Sequence, residues 1–526
     1  GQDRSTPELP DTAQHPWRRC ADQGLWISRQ PRAAATLIWL LGAVTRLEAL
    51  QQRPAYRAGG VCLGVALCGL VVASPPPEGL SVEGWRTLGV ALLMALWWLG
   101  AVLPLTVTAL VPLVAFPLLR IAPIREVALP YAHPLIFLML GGFLLGRAME
   151  EVGLHERLVA GLLRPEALRR DPRRTLLGLM IAAAVLSGLV SNTATTVMML
   201  PLALLLAERS GAPGRSRSAF ALGLAYASSI GGVSTLIGTF PNAVFAQVSA
   251  EQVGREISFA QWIGIGGPFA LLAVPTAWWV VTRLLVPAGG GSVPAPPIPR
   301  WRPGERAVIA VIAAAMLAWF TRRPLTLGVL TVPGWSPALG LDGLVDDAWV
   351  AMAAALILFL LPAGESFVLD FRAAERALPW SVLFLLGGGF SLASTIRDSG
   401  LTSWLAGATQ HLDALPHGLD VALICLSVTF LTEITSNTAT TQILLPLLAA
   451  GAERAGTDPM VWMVPATISA SCAFMMPVAT PPNAIAAQGG SVSPGDMATA
   501  GLLLNLALVA LATLVALSLA PWVLSS

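Results

Sequence analysis

The sequence predicts an all-α, polytopic membrane protein with about eleven transmembrane helices and two re-entrant hairpins, arranged as an inverted repeat. Three observations carry this expectation. The first is composition: 526 residues are 55% hydrophobic and 12% charged, with mean hydropathy +0.70, whereas soluble domains carry about 25% charged residues. The second is duplication. Ser191-Asn192-Thr193-Ala194-Thr195-Thr196 returns as Ser436-Asn437-Thr438-Ala439-Thr440-Thr441, followed by Pro201 and Pro446 respectively. Upstream, Gly141-Gly142-Phe143 matches Gly388-Gly389-Phe390; downstream, Thr239-Phe240-Pro241-Asn242 matches Thr480-Pro481-Pro482-Asn483. Three matched blocks in one order, displaced by roughly 245 positions, describe a duplicated half. The third is charge bias. Loop 155–174 holds Arg157, Arg164, Arg169, Arg170, Arg173 and Arg174, while its equivalent, 401–420, has no Arg and includes Asp413 and Asp420. Under the positive-inside rule, equivalent loops of opposite bias lie on opposite sides of the membrane.

The elements follow in chain order. Residues 1–58 form a polar, Arg-rich cytoplasmic segment whose one apolar run, Ala33–Val44, is too short to span; no signal peptide is read there. The first repeat, 59–284, holds spans at 59–73, 87–103, 105–119 and 134–150. The apolar block 175–208 has two arms of about 15 residues, short of the roughly 20 that a span needs, with basic residues at both ends. It reads as a hairpin entering from the cytoplasm with its tip, 191–193, at mid-membrane. A span at 218–249 is interrupted at Gly238–Asn242, and 261–284 returns the chain to the cytoplasm. A Gly/Pro linker, 285–305, leads to the second repeat, 306–526. That repeat has spans at 306–320, 348–362 and 379–397, a hairpin at 421–452 entering from outside, an interrupted span at 461–490 and a last span at 497–523. This is the plan of secondary transporters.

Several chemistries are excluded. A net charge of +2 offers no field for nucleic acid, so none is expected as a partner. Every cation is an Arg, which removes Schiff-base and P-loop lysine chemistry. Of Cys20, Cys62, Cys68, Cys425 and Cys472, four lie in apolar stretches and none forms a C-x-x-C, so they read as small core residues. With no metal cluster, nucleophile–base set or cofactor loop, an enzyme is not expected. The five histidines read as loop or interface residues, and the glycine pairs as sites of close helix contact.

The repeated tips carry the chemistry. Irregular backbone at membrane depth is tolerated only where it is buried in protein or lines a wet cavity. Ser, Asn and Thr cap helix N-termini, so the arm leaving each tip aims its positive dipole end at the tip, where an anion is favoured. The arm entering ends in free carbonyls that suit a hard cation such as Na+. Proline at each interrupted span frees further carbonyls, and Thr239 and Thr480 add hydroxyls. A single such tip reads equally as capping or polar glue; two matched tips beside two matched breaks favour a shared site. Glu433, three residues before the second Ser-Asn-Thr, is either functional or a fold lock, and its counterpart is Gly188. With no Arg inside the hairpins or interrupted spans, an anion there is neutralised by hydroxyls, amides, helix ends and bound cations.

Through the paired Ser-Asn-Thr tips, Ile230-Gly231-Gly232 with Gly238-Thr239-Phe240-Pro241-Asn242, and Ala479-Thr480-Pro481-Pro482-Asn483, the chain resembles the divalent-anion/sodium symporters, the dicarboxylate, citrate and sulfate carriers. Weaker resemblance runs over roughly 60–520. It implies a homodimer in the bacterial cytoplasmic (inner) membrane, working as an elevator, with at least two Na+ co-transported. One sodium site would use Ser187, Ser191, Asn192 and the Gly238 carbonyl; the other, Thr432, Asn437 and the Ala479 carbonyl. The anion would meet Ser191, Asn192, Thr193, Thr239, Ser436, Asn437, Thr438 and Thr480. The expected activity is sodium-coupled symport of C4-dicarboxylates such as succinate. The alternatives are sodium-independent exchange, sulfate or citrate transport and, from another class, an anion channel. Two departures stand out: Gly100-Ala101 follows the Trp97-Trp98 pair where the family carries an acid, and Phe240 replaces a proline.

Overall fold

The computed structural model describes residues 53–210, 215–286, 293–294, 297, 299–327, 330–405, 418–488 and 492–524. The expectations for 1–52, for 287–292, 295–296 and 298 of the 285–305 linker and for 406–417 of the 401–420 loop lie outside the described residues. Those described build a helical protein in which five helical stretches are long and apolar enough to cross a membrane: Pro54–Ala73, Ile124–Glu151, Phe259–Leu285, Trp380–Asp398 and Pro494–Ser518. Two antiparallel two-stranded ribbons, Leu325–Leu327 with Leu330–Val332 and Pro362–Ala363 with Ser366–Phe367, close surface turns.

Helix α1 (Pro54–Ala73) starts on a proline and packs against α2 (Val82–Leu99), which Ser81 caps by accepting from the Gly84 N–H at 2.9 Å. The stretch expected as a span at 105–119 is broken instead into Leu105–Thr108 and Val111–Leu118. Pro112, second in the later piece, has no N–H to continue the earlier one. α3 (Pro134–Glu151) ends the first group. Next come α4 (Pro172–Ser187), α5 (Asn192–Arg209), α6 (Ser216–Val233), α7 (Phe240–Val248) and α8 (Phe259–Leu285). The second half holds α9 (Glu305–Thr321), α10 (Asp347–Leu360), α11 (Trp380–Asp398), α12 (Leu419–Thr432), α13 (Asn437–Arg454), α14 (Pro459–Ala470), α15 (Pro481–Ala487) and α16 (Pro494–Ser518). Glycines do admit close helix contact. A Cβ on Gly141 of α3 would lie 2.6 Å from the Ala351 Cβ of α10, and one on Gly388 of α11 would lie 2.1 Å from the Ala109 carbonyl oxygen.

The two halves interlock through their broken helices. α7, beyond the first break, packs on α13 and α14; α15, beyond the second, packs on α5 and α6. Tyr226 of α6, fully buried, donates to the Phe474 carbonyl in the second break at 3.0 Å.

Each break needs partners for the backbone groups it frees. The Asn242 amide nitrogen stands 2.7–3.2 Å from the carbonyls of Gly232, Val233 and Thr235. Asn483 repeats the contact at 3.0 Å to Ala473 and Met476. The halves then diverge. In the first, the Thr235 hydroxyl donates to the Gly188 carbonyl and accepts from the Gly238 N–H. In the second, Glu433, only 2% exposed, accepts from the N–H groups of Phe474, Met475 and Met476 at 2.7, 2.9 and 3.2 Å and from the Asn505 amide at 2.7 Å. Glu433 is therefore a brace for the break. At the opposite edge, Arg322 and Asp347 form a buried ion pair at 2.6 Å, while Asp347 also accepts from the Phe259 N–H at 2.7 Å, tying α8 to α10.

Two stability predictions follow from these braces. Glu433→Ala strands three backbone N–H groups and one amide, each costing about 1–3 kcal/mol when left unmade. Asp347→Ala leaves the Arg322 charge buried alone, at about 3–5 kcal/mol. Thermal unfolding of detergent-purified protein is expected to show both midpoints well below the parent's, and a midpoint within a degree or so of it would refute the brace concerned.

Candidate functional site

Both tips are helix caps. At Ser191 the chain leaves helical geometry (φ −60°, ψ 144°) and the hydroxyl accepts from the Ala194 N–H at 3.2 Å, so α5 begins at Asn192. Ser436 does the same for α13, accepting from Ala439 at 3.5 Å. Thr239 and Thr480 are extended residues that open α7 and α15, with prolines in the first turn. Thr480 caps through its hydroxyl, accepting from the Asn483 N–H at 3.3 Å; Thr239 makes no such bond.

These four helix starts face one cavity of about 860 Å3. All eight residues expected to meet the anion line it: Ser191, Asn192, Thr193, Thr239, Ser436, Asn437, Thr438 and Thr480. Gly238 and Ala479, whose carbonyls were expected to hold cations, line it too. Ser187 and Thr432 do not; they are fully buried one layer deeper. Four N-terminal helix ends turned on one space, with little formal charge around it, make an environment that favours an anion.

Behind each tip lies a cluster of oxygens. Ser187 Oγ is 2.6 Å from both Asn192 Oδ1 and the Ser228 carbonyl oxygen. The inward-facing atom of the Asn192 amide is also 3.1 Å from the Ser228 carbonyl and 3.2 Å from that of Gly238. Ser187 has one proton for two acceptors, so with Oδ1 inward the four oxygens are reconciled only by a cation. Turned by half a rotation, the amide nitrogen would instead face all three neighbours with its two N–H donors. The second half repeats the arrangement: Thr432 Oγ1 lies 2.6 Å from Asn437 Oδ1 and 3.0 Å from the Ala470 carbonyl. Gly232 makes room for the first cluster, since a Cβ there would lie 2.2 Å from Asn192 Oδ1. All-oxygen, uncharged donor sets of this kind suit Na+. Among the described residues no group of His, Cys, Asp and Glu could hold a metal ion.

The structure adds residues that sequence reasoning missed. Ser229 and Ser471, each the residue after a cluster carbonyl, line the cavity with buried hydroxyls that have no partner. Aligning Ser228-Ser229 with Ala470-Ser471 would have revealed the pair. Arg147 and Glu150 of α3 line the wall as well; the sequence reading looked for cations in the hairpins and breaks alone. Phe240 reaches the cavity and meets Phe143 edge-on at 6.1 Å between ring centres. His133 and His155 stay at helix ends outside the cavity. Burial pushes the His155 imidazole below its ordinary value, although Glu156 and Glu150 oppose this.

The CitMHS family model, described as citrate transporter, matches residues 90–466. The sodium-dependent dicarboxylate transporter SdcS of Staphylococcus saprophyticus is 33% identical over 500 residues, spanning 90% of this chain and 94% of its own. Its namesake from Staphylococcus aureus strain NCTC 8325 is 33% identical over 488 residues, covering 88% and 91%. Two solved transporters share the fold. The Alcanivorax borkumensis YdaH transporter is 17% identical with TM-score 0.50, over 93% of this chain and 98% of that one. Neisseria gonorrhoeae MtrF, of a class of antimetabolite efflux pumps, is 15% identical with TM-score 0.51, over 90% and 97%. With a family model across most of its length and relatives one-third identical along nine-tenths of it, this multi-pass membrane protein belongs to the citrate-transporter family among the divalent-anion/sodium symporters.

Proposed function

We propose that the chain is a sodium-coupled symporter of small divalent anions, with C4-dicarboxylates such as succinate as its substrates. The observation that carries this is the single cavity faced by both Ser-Asn-Thr tips and both broken helices, with a cluster of uncharged oxygens behind each tip that suits a cation. The relatives' sodium-dependent dicarboxylate transport agrees with it.

In this mechanism Na+ binds first. One ion is held by Ser187, Ser191, Asn192 and the Gly238 carbonyl, the other by Thr432, Asn437 and the Ala479 carbonyl; the Ser228 and Ala470 carbonyls lie beside the Ser187 and Thr432 hydroxyls and can add ligands. Each ion fixes its tip and supplies countercharge. The two carboxylates then meet one half each, through Ser191, Asn192, Thr193 and Thr239 on one side and Ser436, Asn437, Thr438 and Thr480 on the other. The coupling is reciprocal: whatever factor Na+ adds to anion affinity, the anion adds to Na+ affinity. The hairpins are re-entrant, the halves are inverted repeats, and the loaded site moves as an elevator within a homodimer in a bacterial inner membrane. A tricarboxylate is the second reading, favoured by the family description and by a cavity larger than a four-carbon acid.

In proteoliposomes, uptake of radiolabelled succinate should saturate and require an inward Na+ gradient. Uptake indifferent to Na+ would remove the symport, and large unitary currents would point to a channel. Asn192→Asp and Asn437→Asp should each abolish or badly impair uptake while the protein still inserts; parental uptake by either would remove the proposed site.

A further inference from the structure

A cavity of about 860 Å3 lies within the range that holds drug-sized ligands. Size alone therefore does not separate a dicarboxylate from a tricarboxylate, and discrimination has to come from the lining. Among the described residues that line the cavity, Arg147 and Glu150 are the charged ones. They sit near the end of α3, where Gly146 packs on Val190, next to the Ser191 cap: a Cβ on Gly146 would lie 3.3 Å from Val190 Cγ1. Arg147 thus lines the same cavity as the first tip. Its Nη1 donates to Glu150 at 3.0 Å, its Nη2 pairs with Glu151, and its Nε is buried with no partner. One positive and two negative groups leave the cluster with a net formal charge of −1.

We propose that Arg147 and Glu150 on the cavity wall, together with Glu151 paired to Arg147, form a charge filter that sets the preference for dianions over trianions. The inference rests on the small-anion transport proposed above. A dianion has one carboxylate for each half and presents only carbon to this wall. A third carboxylate has no half of its own and meets the wall, where Arg147 is already engaged and the net field is repulsive. Selectivity then arises from a repulsive element rather than from a tighter fit. The filter makes Arg147 and its acids specificity-determining residues, acting on the third charge alone.

The test is a charge series: Arg147→Gln, the parent, Glu150→Gln, and Glu150→Gln with Glu151→Gln, at cluster charges of −2, −1, 0 and +1. Full-length protein in proteoliposomes is assayed for Na+-driven uptake of radiolabelled succinate, competed by unlabelled succinate or by fully ionised citrate. The half-inhibitory concentration of citrate relative to succinate is expected to fall by about two- to fivefold per step in that order, as for partly exposed charges. Because the quantity is a ratio, a general loss of folded or active protein cancels. A ratio flat within about twofold, or out of order along the series, overturns the filter. The same order is read from thermal stabilisation by each anion on purified protein, which requires binding and not transport. Absence of Na+-driven uptake in the parent would thus overturn the transport reading, while the stabilisation series still decides the filter.

Discussion

The structure depends on one constraint: two helices are broken inside the protein, and every carbonyl and N–H freed there must find a partner away from water. An unmade hydrogen bond in that setting costs far more than a made one contributes. The Asn242 and Asn483 amides take up carbonyls of the preceding turns, and Thr235 and Glu433 take up N–H groups. With those groups satisfied, Gly238 and Ala479 are left at the cavity wall. The site consists of what the braces do not consume.

The same accounting explains how uncharged residues can hold ions. Ser187 and Thr432 each face two acceptors with one proton. A cation in the cluster relieves the conflict, and so does rotation of the adjoining amide. An asparagine suits this place because it offers an oxygen in one orientation and donors in the other. An aspartate there has oxygens in both, and without a cation its charge would meet the same carbonyls unrelieved.

Much of the site was legible because its signal is local and doubled. Ser191–Thr196 and Ser436–Thr441 are caps, and a cap is written in a few adjacent residues; the prolines at 241, 481 and 482 announce breaks in the same way. That both tips and both breaks would face one cavity followed from the duplication, since either half alone leaves its polar tip without a partner. What was not legible is what depends on distant pairing. Glu433 looked functional or structural with equal reason until the N–H groups of Phe474–Met476 were seen around it. Residues 105–119 read as a span by hydropathy, yet Pro112 divides them into two short helices. Arg147 was passed over because cations were sought in the hairpins and breaks alone; the fold is what brings α3 to the cavity that the tips line.

The asymmetry between the halves is itself informative. Where the first half braces its break with a neutral hydroxyl donating to Gly188, the second uses a carboxylate that gathers four donors. A hydroxyl contact is lost and remade cheaply, whereas withdrawing a buried carboxylate from four N–H groups is costly. The first break is therefore the more deformable of the two, and the second the more rigid. Phe240 adds to this, since it sits at the start of α7 where α15 carries a proline, and its edge-on contact with Phe143 joins the softer break to α3. Movement at the first break is then felt directly by α3, the helix that carries Arg147. A duplicated chain with two equal halves would have no such preference, and the inequality arises where the halves differ: Thr235 and Phe240 at the first break, Glu433 at the second.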